Sequence, residues 1–438
     1  MTRNHSVVLI PLLALALVPL GCSDDGGYYS DESTFGDEFG DDLGDGGTSG
    51  NSTGASDDGS VETSDDQVAE ESDTSTETDT GAPLCDDQSE VVLYLSPDDS
   101  NSMSSPVQVR AAVFDDPDKI KITPIRPWEF FNYYTFDYPP APKGEVDVSA
   151  ELFRLEEAPE GEYLLQIGVT SEVVTNEDRP PMNITLVLDE SGSMTGLPMD
   201  LQKEACRAIA SSLKAGDEVS MVGWDTQNAI KLSGYKVTGP NDAMLLSKIE
   251  ALEPGGGTDL NGGLTAGYLL AKAAYDPTRI NRVVLISDGG ANAGETDAMI
   301  IADGAGANDM DGIYLVGVGV GYGVTYNDHL MDTVTDIGKG ASVFLPDEAE
   351  AWKVFGTDFV NTMAVAARDV QVKLDMPPGF EIVKFSGEEY SEDPQEVEPQ
   401  HLAPNDSMVF HQTIATCAPD LVTDETEITV TARYKDAI

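Results

Sequence analysis

From Asn183 to about Met363, apolar runs alternate with amphipathic stretches, and this rhythm predicts an α/β domain built on a doubly wound parallel sheet. The strands are expected at 184–188, 218–224, 282–287, 312–320 and 341–345. Helical periodicity falls between them at 201–214, 242–252, 260–274 and 328–337, and a last helix is expected over 348–363. A continuous run such as Val283-Val284-Leu285-Ile286 suits a strand covered on both faces. The flanks carry a different pattern. Short, partly alternating runs lie at 90–95, 107–114, 151–155 and 163–170, and again at 370–374, 381–385, 408–414 and 427–432. Pro, Gly and Asp turns separate them, as in an antiparallel sandwich. The expected organisation is therefore one β-rich domain made from both flanks, 83–180 and 366–438, with the α/β domain inserted at 181–365.

The first 82 residues change the picture at the amino end. Arg3 is followed by an apolar stretch from Val7 to Leu20, too short to span a bilayer, and then by Leu20-Gly21-Cys22. This reads as an export leader over 1–22, and its end resembles the lipobox of bacterial lipoproteins, which implies acylation of Cys22. Residues 23–82 hold 19 Asp/Glu and no Lys or Arg among Gly, Ser and Thr, so they are expected to be a disordered, self-repelling linker. The whole chain carries a formal net charge of −55. Beyond the linker, and without Arg3, 60 acids face 23 bases, a net charge of −37. That balance argues against nucleic acid and against anionic headgroups, leaving the lipid as the only membrane contact. The expected location is the bacterial cell envelope, at the outer membrane or the periplasmic face.

Four cysteines are too few for a disulfide scaffold. Cys85 precedes the first folded strand and Cys417 lies in the last segment, so a bridge between them is compatible with an exported protein and would close within the β-rich domain. Cys206 lies beside the stripe Leu201, Ala205, Ile209 and Leu213, where it reads as a small buried hydrophobe. The last strand pattern runs to Ile438 without a tail, as it would in a fragment of a longer reading frame.

The candidate chemistry lies where strands end. Asp189-Glu190-Ser191-Gly192-Ser193-Met194 follows the apolar strand 184–188, and its alternate oxygens can converge on one point. Pro254-Gly255-Gly256-Gly257-Thr258-Asp259 offers a hydroxyl in a flexible turn, and Ser287-Asp288-Gly289 closes a second buried strand on a carboxylate. Loops at the carboxyl ends of adjacent strands share one crevice in such sheets, and an oxygen-only set suits a hard divalent cation. The bland reading of Asp189 and Ser191 is a helix cap, which requires neither distant segment. Taken together, the three segments resemble the metal-ion-dependent adhesion site of von Willebrand factor A (vWA) domains. The resemblance implies direct metal ligation by Ser191, Ser193 and Thr258, with Asp189 and Asp288 acting mainly through water or hydrogen bonds. It also implies that the last helix can shift when the site is completed.

A second segment extends the likeness. Ile125 to Pro140, with Trp128, Phe130, Phe131, Tyr133, Tyr134, Phe136 and Tyr138, looks like a segment ahead of the A domain in a family of bacterial vWA lipoproteins. There a helix precedes a Tyr-Pro turn. Tyr326-Asn327-Asp328-His329-Leu330-Met331 is similar to the same family. The aromatic cluster could be a carbohydrate or peptide platform, but packing at a domain junction is the favoured reading.

Enzyme motifs are wanting. His5, His329, His401 and His411 stand in no nucleophile motif, Ser191 lacks the glycine of a nucleophile elbow, and the Gly255–Thr258 turn has no Walker lysine. The glycines at 317, 319, 321 and 323 have the wrong spacing for a dinucleotide turn. The expectation is a non-enzymatic protein that binds Mg2+ or Mn2+ in preference to Ca2+, because few ligands and several waters match a small octahedral ion. Its partner would be a protein whose Asp or Glu carboxylate completes the site. The alternatives are a structural scaffold in an envelope complex and a metal-dependent hydrolase.

Overall fold

Where the apolar residues fall decides the sheet pairing, which a computed structural model describes for residues 2–9, 86, 88–115, 123, 125–154, 158–289, 312–322 and 326–437. The expectations placed on Cys22, Cys85 and the stretch 23–82 lie outside the described residues. The leading part contains β1 (Thr2–Leu9), β2 (Val91–Ser96), α1 (Ser104–Asp115), α2 (Pro127–Tyr133), β3 (Asp147–Phe153) and β4 (Glu162–Thr170). The middle begins with β5 (Met182–Asp189), α3 (Leu197–Ser212), β6 (Glu218–Trp224), β7 (Asn228–Lys236), α4 (Ala243–Glu250) and α5 (Leu260–Ala274). It continues with β8 (Ile280–Ser287), β9 (Ile313–Val320), α6 (Asp328–Ile337), β10 (Ser342–Leu345), α7 (Glu348–Trp352) and α8 (Phe359–Met363). The trailing part supplies β11 (Ala367–Met376), β12 (Phe380–Phe385), β13 (Glu389–Ser391), β14 (Gln400–Leu402), β15 (Ser407–Thr416) and β16 (Ile428–Asp436).

The middle sheet has the order β10-β9-β8-β5-β6-β7. All pairs are parallel except β6 with β7. Every residue of β5 and β9 is buried, which is why these strands read as unbroken apolar runs. Helix α3 turns Leu201, Ala205, Cys206 and Ile209 onto the sheet. Cys206 is a free, fully buried thiol whose pKa burial pushes up to about 12. At the start of β5, Arg179 and Asp217 form an ion pair of 2.6 Å with both side chains buried. Asp217 also accepts from Met182 N and Lys214 N, so no buried charge is left unpaired.

Three expectations require correction here. The sheet is mixed, because β7 adds an antiparallel edge; most of its residues face solvent, so it lacks the apolar signal of the buried strands. Residues 107–114, expected as a strand, lie in helix α1. Pro106 fits the first turn of that helix, and the alternation of Val107, Val109, Ala111 and Val113 is overridden by packing, with α1 against β10 and Val107 buried in the same apolar cluster as Phe344. The last helix is not continuous over 348–363. A π-helical turn at Lys353–Thr357 separates α7 from α8, and Asp358 N reaches back to Lys353 O at 2.8 Å.

The flanks build two facing sheets. One has the order β1-β16-β11-β2-β13, with β14 on β11, and the other has the order β12-β15-β4-β3. Both flanks contribute to each. Leu95 of β2 pairs with Val372 of β11, and Leu165 of β4 with Gln412 of β15. Leu93, Leu165, Ile167, Val372, Phe410 and Val430 share one core between the layers. The α/β domain is thus inserted in a β-rich sandwich. Cys417 is disulfide-bonded.

The aromatic segment is fixed by its contacts. Helix α2 packs on β15. The Tyr138 ring lies over Gly168 of β4, where a Cβ would stand 2.6 Å from Tyr138 Cζ, and Gln166 Nε2 donates to Tyr138 Oη at 2.7 Å. Arg126, at the start of α2, bonds Asp328 on α6 at 2.7 Å. These contacts make the cluster a packed joint, with Phe131, Phe136 and Tyr138 ring to ring.

Candidate metal centre

Strand β5 delivers Asp189 at its carboxyl end, fully buried, and three sets of bonds lock it there. Gln202 on α3 donates from Nε2 to Asp189 O at 2.8 Å and accepts from Asp189 N at 3.1 Å. Asp189 Oδ1 accepts from Ser191 N at 2.8 Å, which bends the loop back over the strand end. Asp189 Oδ2 accepts from Ser287 Oγ at 2.6 Å. A 3₁₀ turn at Gly192–Met194 then brings Ser193 Oγ within 2.9 Å of Ser191 Oγ. Ser191 is buried and Ser193 is exposed, so the hydroxyl pair spans the floor and the mouth of the site.

The glycine loop is held against this one by its backbone. Gly255 N donates to Glu190 O at 2.7 Å and Gly192 N to Gly256 O at 3.3 Å. Gly256 has φ +73°, and a Cβ there would lie 2.6 Å from Asp225 Oδ2, so glycine is required on both counts. Gly257 N donates to Thr226 Oγ1 at 2.6 Å and Asp259 N to Asp225 O at 2.8 Å. Asp259 then caps α5 through Gly262 N. Thr258, between these anchors, is 1 % exposed. Asp288 follows β8 directly and is 8 % exposed.

The electrostatics favour a cation. Burial pushes the Asp189 carboxyl up to about 7, and the negative charge of Asp288 adds to it, against hydrogen bonds from Ser287 and Ser191. Two carboxylates, Asp189 and Asp288, and the Ser191 hydroxyl therefore lie close together at the ends of β5 and β8. Among the described residues no group of three or more His, Cys, Asp or Glu side chains is placed to hold a metal, and the groups at this centre are two carboxylates with hydroxyls. An all-oxygen set of this kind fits a hard divalent ion.

Sequence reasoning named Asp189, Ser191, Ser193, Thr258 and Asp288, and missed their supports. Gln202, Asp225 and Thr226 hold the loops without belonging to the recognised strings, and Ser287 stands inside the third string without having been given a role. Ser287 was the most legible of these, since it is the last residue of β8 and directly precedes Asp288. Glu190, inside the first string, pairs with Lys231 of β7 at 2.7 Å and packs over Gly223. No sequence signal pointed to Lys231, because β7 itself was not expected.

Residues 184–291 match the model of the von Willebrand factor type A domain family. The uncharacterized protein YfbK of Escherichia coli is 25% identical over 58% of this chain and 45% of its own length. The uncharacterized protein sll0103 of Synechocystis is 27% identical over 50% of this chain and 51% of its own. The chain thus spans about half the length of these curated relatives. The human inter-alpha-trypsin inhibitor heavy chain H2 is 30% identical over 42% of this chain and 20% of its own. Among solved structures, a von Willebrand factor type A protein from Catenulispora acidiphila matches with 17% identity and a TM-score of 0.43, over 62% of this chain and 65% of that one. With the strand order, the three loops and the family match in place, residues 184–291 carry a von Willebrand factor type A domain.

Proposed function

We propose that this protein captures a protein partner by letting a partner Asp or Glu carboxylate complete a Mg2+ or Mn2+ site formed by Ser191, Ser193 and Thr258. The observation that supports it best is the buried, hydrogen-bonded Asp189, held beside a hydroxyl pair 2.9 Å apart with the charge of Asp288 close by. A bound cation would supply one open position for an oxygen from outside. The chain's own residues do the rest. Ser287 and Gln202 orient Asp189, the two loops are pinned backbone to backbone, and Glu190 is neutralised by Lys231. With 60 acids facing 23 bases, the partner carboxylate has to stand in a neutral or basic surface.

The anchor belongs to the same proposal: a leader over residues 1–22, acylated Cys22, and the acidic linker 23–82 as a tether from a bacterial envelope membrane. Mass spectrometry of membrane fractions tests it through diacyl or triacyl Cys22, with Cys22→Ser releasing the protein. Capture is tested by cross-linking in the native cell with and without EDTA. Partners recovered by the wild type should be lost with EDTA and with Thr258→Ala. A partner that survives both would show that the metal bridge is wrong.

A further inference from the structure

The outermost strand of the sandwich is built from the same residues that read as an export leader. Strand β1 lies antiparallel to β16 through eight consecutive pairs, from Thr2 with Lys435 to Leu9 with Ile428. It contributes little to the core. Thr2, Arg3, Asn4 and Ser6 are exposed, and Val7 is only partly buried against the sandwich interior. Strand β16 is the opposite case: Ile428, Val430 and Ala432 are fully buried and Tyr434 is 5 % exposed, so it stays in the sheet whatever happens to β1. Removal of the leader would bare one side of a nine-residue strand, with no Pro in it and no register shift on that side. Such an edge pairs readily with another chain unless something covers it.

We infer that this side of β16 is a strand-acceptor site, filled in the exported protein by an extended peptide that presents two basic side chains and then an apolar one at alternate positions. The inference rests on the leader reading of residues 1–22, and β1 displays what the edge recognises. Its residues at 3, 5 and 7 share one face, opposite Tyr434, Ala432 and Val430. Arg3 meets Asp436 at 2.9 Å and donates to Gly144 O at 2.7 Å. His5 meets Asp147 of β3 at 3.2 Å. The other face carries short polar contacts, such as Ser6 Oγ with Thr431 Oγ1 at 2.8 Å. Backbone pairing would supply the affinity, and the two acids would select a basic strand in a fixed register.

The test uses the chain from residue 22 onward with Cys22→Ser, and a fluorescent peptide of sequence Thr2–Leu9 as probe. Saturable one-to-one uptake is expected, with slowed amide exchange over 428–436. Affinity should fall at least tenfold when peptide residues 3 and 5 are changed to Glu. No uptake, or equal uptake of the charge-reversed peptide, overturns the acceptor. So does a dimer in light scattering whose 428–436 amides are already protected without peptide. Should the leaderless chain fail to fold, a full chain with a protease site between Leu9 and Cys22 is cut after folding, and exchange of its own strand for the probe is followed. Amino-terminal sequencing of the exported protein is read separately. Retention of Thr2 would sink the leader reading itself, whereas a start at Cys22 without peptide uptake would sink only the acceptor.

Discussion

Ser287 Oγ donates to Asp189 Oδ2 over 2.6 Å and so ties the last residue of β8 to the last residue of β5. Both strands end at the metal loops, and this bond fixes which Asp189 oxygen faces the neighbouring strand. Removing Ser287 leaves the ligand set intact and loosens its orientation. In isothermal titration with MgCl2, Ser287→Ala should lower affinity about 10- to 100-fold, as loss of a supporting hydrogen bond does at metal sites. Asp189→Ala should abolish binding. Unchanged affinity in Asp189→Ala would refute the site.

Lys231 holds Glu190 over Gly223, with side-chain exposures of 20% and 13%. Lys231→Met strands a largely desolvated carboxylate and should cost about 1–2 kcal/mol in urea unfolding, less than a fully buried pair would. Adding Glu190→Gln to that variant should restore part of the loss. An additive double variant would show that the two side chains act independently.

Tyr138 covers Gly168 so closely that no side chain fits between them. Gly168→Ala should cost about 1–3 kcal/mol by overpacking. In the background Tyr138→Ala the same change should cost much less, and a thermal-melt cycle measures the coupling. Equal costs in both backgrounds would mean that the ring is not held there.

Asp98 is 8 % exposed, and burial, with the charges of Glu388, Glu129 and Asp99, holds its carboxyl well above the usual range. Asp99 and Glu388 are pushed up to about 6 and about 7. The sign follows from linkage: a group raised in the folded state gives its full stability below the unfolded value near 4, and that stability is lost as pH rises through the folded value. Asp98→Asn keeps the acceptor for Asp99 N and tolerates φ +71°. It should match the wild type at pH 4.5 and exceed it at pH 8 by an amount on the order of 1 kcal/mol. Equal stability at both pH values would count against a strained acidic cluster.

The three strings of the candidate metal centre stand out in the sequence because each of their parts is local. A buried strand, a string of alternating oxygens and a glycine turn each announce themselves within six or seven residues. The strands of the inserted domain were legible for the same reason, as runs such as Val283-Val284-Leu285-Ile286. What stayed hidden depends on partners far away in the chain. Strand β7 is mostly solvent-facing, helix α1 carries strand-like alternation, and β1 has its ladder partner in β16 at the far end of the chain. Gln202 and Lys231 matter through a neighbour's backbone or charge, which no local pattern records.

The insertion sets an order of events on the ribosome. Leu95 emerges long before its partner Val372, and Leu165 long before Gln412. During that interval β3 and β4 can pair only with each other, and β2 and the β15 side of β4 wait for the trailing flank, while the inserted domain can close from its own residues. The sandwich is therefore the slow, high-contact-order step, and its waiting strands are the aggregation-exposed ones. A substitution that delays closure of the inserted domain delays the sandwich as well, although it touches none of its strands.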